Sequence, residues 1–71
     1  MADREATTPD EILAAALARE EEARDLYTGL ANNAQVDIVR ELLEKLKDEE
    51  SRHVHMIQNL IATLNLGKNI A

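Results

Sequence analysis

The sequence contains no cysteine, no tryptophan and no phenylalanine, and its one tyrosine is Tyr27. Without cysteine there can be no disulfide, no thiolate zinc site and no iron–sulfur cluster. With a single aromatic residue, the core must be filled mainly by Leu, Ile, Val and Ala, which suits helix packed on helix. Basic residues are scarce: 8 Lys and Arg stand against 14 Asp and Glu, for a formal net charge of −6 and a pI near 4.7. No face gathers Lys or Arg, so nucleic acid is not an expected partner. No run is long enough to span a bilayer, and residues 1–11 lack the apolar segment of a signal peptide. A cytoplasmic protein with no membrane partner is the expectation.

What is present is 71 residues, enough for one small domain. Domains of this size bury little surface and usually gain stability from disulfides, a metal or self-association. Disulfides are excluded, so metal and self-association remain. The acidic balance is consistent with a protein that handles cations. A solvated acidic surface accounts for the charge equally well.

The sequence predicts an all-α antiparallel two-helix hairpin. Residues 1–7 are polar and unpatterned and read as a flexible arm. Thr8-Pro9-Asp10-Glu11 is a capping box, with Thr8 as N-cap, Pro9 at the first helical position and Glu11 three after the Thr. Apolar residues then recur at threes and fours: Leu13, Ala16, Leu17, Ala23, Tyr27 and Leu30. The first helix is expected over about residues 9–31. Ala31 to Gln35 reads as a turn, with Asn33 the expected cap of the second helix. The second stripe runs Val36, Val39, Leu42, Leu43, Leu46, Ile57, Leu60, Ile61 and Leu64, for a helix over about 34–66. Gly67 is the expected stop, closing a hairpin over 8–67, with 68–71 as a tail. No strand signal and no repeat is seen. A lone hairpin leaves part of its stripe uncovered, and pairing two hairpins into a four-helix bundle would bury it.

Polar residues interrupt these stripes near their middles. On the second helix the seam passes through Glu50 and His53. On the first it passes through Glu20, with Tyr27 seven residues on. A carboxylate at such a place needs a compensating charge. Arg24 and Arg52 lie at the edges, while a divalent cation suits Glu and His, because side chains at i and i+3 leave a helix in the same direction. Doubling the chain gives two each of Glu20, Glu50 and His53. Di-iron carboxylate bundles use that set: one Glu from each of two helices and Glu-x-x-His from each of the other two. The bland alternative is a set of edge residues with their heads in water. Glu22 and Glu49, off the seam, are candidates for an outer cation path. His55 points well away from His53 and reads as a surface histidine.

AREEEARDLY followed by LKDEESRH resembles the first helical hairpin of the rubrerythrin-type ferritin-like proteins, over roughly Leu17 to Leu60. Their Glu-x-x-Ala-x-x-x-Tyr stands here as Glu20, Ala23 and Tyr27, and their Glu-x-x-His as Glu50 and His53. In stopping after two helices the chain is similar to the encapsulated ferritins, which rebuild the bundle by dimerising. The resemblance implies a di-iron site across a homodimer, with Glu20, Glu50 and His53 as metal ligands, Tyr27 behind them, and Glu50 bridging while His53 is terminal. It implies oxidation of ferrous to ferric ion by dioxygen or peroxide, a ring-like higher oligomer, and an encapsulin-type shell as a possible partner and compartment. The ending Gly-Lys-Asn-Ile-Ala does not read as a shell-docking peptide. Nor does the sequence hold cysteines for the rubredoxin domain that rubrerythrins carry. Manganese or zinc would suit the same ligands. The competing expectation is a non-catalytic helical oligomerisation or adaptor module with a structural metal or none.

Overall fold

The computed structural model describes residues 8–70, with side chains for 8–66. The expected arm at residues 1–7 lies outside the described residues. Two helices make up the fold: α1, Pro9–Asn33, and α2, Asp37–Ile70. No strand occurs among the described residues.

The start of α1 follows its capping box. Thr8 Oγ1 accepts from the Glu11 backbone N–H at 3.2 Å, and the Glu11 carboxylate accepts from the Thr8 N–H at 3.0 Å. Two donors that a helix start leaves unpaired are thereby satisfied. Asp10 and Glu11 place negative charge against the positive end of the helix.

The connection lies later than the sequence suggests. Asn33 is the last residue of α1 and does not cap α2. Ala34 turns extended and donates its N–H to the Ala31 carbonyl at 3.2 Å. The turn is held by a residue that local patterning overlooks, Arg40. Its guanidinium donates to Asp37 Oδ1 at 3.0 Å and to the Ala34 carbonyl at 3.1 Å, while its backbone N–H bonds the Val36 carbonyl at 3.0 Å. One side chain thus ties the end of α1 to the first turn of α2. At the other end α2 does not stop at Gly67 and runs on to Ile70. Glycine costs a helix only about 1 kcal/mol, and here that does not end it.

The hairpin is 52 Å long and 12 Å thick. That thickness is about one helix with its side chains, so the chain forms a single layer with almost no interior. Only Ala31, at 6 %, and Val54, at 3 % exposure, are buried among the described residues. Leu13, Leu17, Glu20, Arg24 and Ala31 of α1 face Leu43, Glu50, Val54, Ile57 and Ile61 of α2, all at least half-buried. The packed stripe of α2 is therefore rotated from the expected seam. Val54 and Ile61 take the centre, while Val39, Leu42, His53 and Leu60 stand exposed at its edge. Ile12, Leu26 and Leu30 leave a matching apolar strip on α1. The expected stripe was too wide for one partner helix. Half of it packs within the hairpin and half faces outward.

Candidate metal centre

Glu20 and Glu50 sit near the middle of the packed stripes, on α1 and α2, at steps of three and four from Leu17 and Val54. His53 follows Glu50 by one helical turn and emerges on the same side of α2. The antiparallel pairing brings all three together across 33 residues of sequence. His53 Nδ1 donates to Glu20 Oε1 at 3.2 Å and lies 3.4 Å from Glu50 Oε1, a contact without hydrogen-bond geometry. One ligand atom from each of the three lies within 4.8 Å of the others, and no second group of three or more His, Asp and Glu gathers this way among the described residues.

Exposure falls inward across the cluster. The side chains are 49 % exposed for His53, 31 % for Glu20 and 20 % for Glu50. The imidazole stands at the edge of the open apolar face, with both carboxylates behind it. Glu50 Oε1 is itself buried and has no hydrogen-bond partner. A buried acceptor without a donor is costly. That oxygen is left able to accept a hydrogen bond or to hold a cation. Arg24, expected to be able to swing in, is turned to Asp25 at 3.2 Å. Arg52 is exposed.

The protonation pattern has the same origin. Hydrogen bonding with Glu20, followed by burial and the nearby negative charge, pushes Glu50 above the ordinary carboxylate value. Hydrogen bonds from Glu50 and His53 hold Glu20 below it. Hydrogen bonding to Glu20 raises His53, with burial pulling the other way and Glu50 adding a smaller push upward. Two carboxyls this close cannot ionise with equal ease, so one gives up its proton readily and the other retains it. A cation placed among them would replace these protons.

The donor set fits a metal on chemical grounds. Two carboxylate oxygens and one imidazole nitrogen suit iron, manganese and zinc alike. Of the three consecutive glutamates, Glu20 is the one in the cluster. Glu22 and Glu49 are exposed and stand apart from it, as is His55. Tyr27 is half-buried, two turns from Glu20, and its hydroxyl makes no hydrogen bond among the described residues. No helix is long and apolar enough to cross a membrane among the described residues.

The rubrerythrin family model matches residues 11–71. No curated protein and no solved structure matches the chain. The matched span takes in both helices and all three residues of the cluster. Proteins of this family typically bind iron. By this match the chain belongs to the rubrerythrin family of ferritin-like proteins.

Proposed function

We propose that two copies of the chain pair through their open apolar faces into a four-helix bundle, and that the bundle oxidises ferrous iron at a di-iron site shared between them. The observation that carries this reading is the half-built cluster. Glu20, Glu50 and His53 converge, a buried Glu50 oxygen has no donor, and His53 stands half-exposed on the face that a second copy would cover. A two-fold axis near His53 would bring in a second such trio. Four carboxylates and two imidazoles are the complement of a di-iron centre.

Each group of the chain has a distinct task. Glu20, Glu50 and His53 of both copies would hold the ferrous ions, with Glu50 the deepest of the three. Glu20, held below the ordinary carboxylate value, gives up its proton most readily, while protons and iron would compete for Glu50 and His53, both held above theirs. Ile12, Leu26, Leu30, Leu42 and Leu60 would keep bulk water from the paired face. The Tyr27 hydroxyl would donate to a liganded carboxylate of the facing copy and hold it in place. Two ferrous ions give one electron each, and dioxygen or peroxide takes the pair.

The test begins with metal content per chain, on protein purified without chelator and reloaded with ferrous iron under nitrogen. The expected result is about one iron per chain, as two ions shared by two chains require. Admitting air should then raise the ferric absorbance, and Glu50→Ala should abolish the rise. A protein that dimerises without metal and ignores Glu20→Ala would instead be a helical oligomerisation module.

A further inference from the structure

The back of α2, turned away from α1, carries a pattern that the metal centre does not use. Ile38, Glu41, Lys45, Glu49, Arg52 and Met56 follow one another at steps of three and four, so they line one face of the helix. All six are exposed. Ile38 and Met56, at 74 % and 66 % exposure, are among the most exposed large apolar side chains of the described residues. The four charges between them alternate in sign. None of the four has an ion-pair partner among the described residues, although Glu41, Lys45 and Glu49 are four apart and of opposite sign. The neighbouring Asp48 is taken by Lys47 at 3.8 Å. A shallow groove lined by Lys45, Asp48, Glu49 and Arg52 runs along this face, and a second, lined by Ile38, Val39, Glu41, Leu42 and Lys45, joins it to the open apolar face.

Read backwards, the stripe is complementary to itself. Laid antiparallel on a second α2 about an axis near position 47, Glu41 meets Arg52, Lys45 meets Glu49, and Ile38 meets Met56. Every one of these matches occurs twice by symmetry, and no like charges meet. A parallel copy in register would set each charge against its own kind. A contact between identical surfaces requires this property.

We propose that this face is a second self-association surface, through which α2 of one chain packs antiparallel on α2 of another copy. It lies on the opposite side of α2 from α1 and borders, at Val39 and Leu42, the open apolar face that carries His53. Where both contacts form, they link bundles into a larger assembly. The contact does not depend on the metal-site reading. The apolar ends supply the attraction, and the charges set direction and register, as rim charges do. Its strength should fall as salt rises.

The test is sedimentation velocity on the full chain over a range of protein and salt concentrations. Three forms are compared: the unaltered protein, Lys45→Glu, and the exchange Lys45→Glu with Glu49→Lys. Lys45→Glu sets two carboxylates against each other at both ends of the axis. It should raise the dissociation constant of the larger species at least tenfold and leave helix content and metal content unchanged. The exchange restores the match and should restore the assembly. If the apolar face also pairs, Lys45→Glu leaves a dimer. If it does not, Lys45→Glu leaves a monomer, so failure of the first contact is seen apart from failure of the second. A size distribution unchanged by Lys45→Glu, or a loss that the exchange does not repair, overturns the proposal.

Discussion

His53 Nδ1 and Glu20 Oε1 meet at 3.2 Å across the two helices, 33 residues apart in sequence. The bond sets the orientation of the imidazole before any ion arrives. It also presents Nδ1, rather than Nε2, to the carboxylates. If Glu20 is a ligand as proposed, replacing it removes that ligand and frees the ring in one step. Glu20→Ala is expected to weaken ferrous or manganous ion binding by more than the roughly 10–100-fold that losing an outer partner costs, with helix content retained. Equilibrium dialysis with circular dichroism measures both. Unchanged affinity would remove Glu20 from the site.

Acidity should oppose metal uptake. Glu50 and His53 both sit above their ordinary values, 4.5 and 6.5, and both must release protons to bind a cation. Affinity should rise with pH through both values, and binding should release protons. Titration calorimetry in buffers of different ionisation enthalpy counts them. A count of zero would mean that the ion does not displace these protons.

In the metal-free protein the same groups make stability depend on pH. A histidine held above 6.5 stabilises the fold below that pH and loses its contribution as pH rises through the raised value. A carboxylate held below 4.5 stabilises the fold above that pH and loses its contribution as pH falls through the lowered value. The His53–Glu20 pair is therefore fully formed between pH 4.5 and 6.5. Glu50 acts in the opposite direction to Glu20, favouring the fold while protonated and less so as pH rises. In urea melts with chelator, His53→Ala should cost more stability near pH ~5.5 than near pH ~8.5. Equal cost at both would mean that the pair contributes nothing.

Val54 is the more buried of the two core residues. Val54→Ala should cost about 2 kcal/mol, the transfer energy of its lost methyl groups. Thr8→Ala should cost about 1 kcal/mol by opening the capping box. Thermal melts at one fixed protein concentration compare the two, because melting of a self-associating chain depends on concentration. Thr8→Ala equal to wild type would mean that the first turn frays without consequence.

Leu42 and Leu60, at 56 % and 48 % exposure, lie on the open face about three and about two turns from His53, one on either side. Leu42→Asp should convert the paired form to monomer and lower helix content, since a lone hairpin buries too little to stand alone. Light scattering at several concentrations reads this directly. An unshifted mass would mean that the apolar face is not where the copies meet.

Much of this protein is written in local patterns. Apolar steps of three and four, with a single aromatic residue, Tyr27, point to an all-α chain. Thr8, Pro9 and Glu11 start α1 because a capping box depends only on neighbours in sequence. Glu20, Glu50 and His53 stand out because charge on an apolar stripe needs a partner. The tertiary structure decided what neighbours cannot. Arg40, six residues from the carbonyl it binds, set where the turn lies, and no local pattern shows such a reach. Gly67 failed to end α2, since a modest helix penalty is a preference and not a barrier. Only packing divided the wide apolar stripe, giving Val54 to the hairpin and Leu42 and Leu60 to the open face. Only packing aimed Nδ1 of His53 at Glu20 and left one oxygen of Glu50 buried without a donor. Periodicity names the side of a helix, but the angle at which a second helix lies against it depends on both surfaces at once.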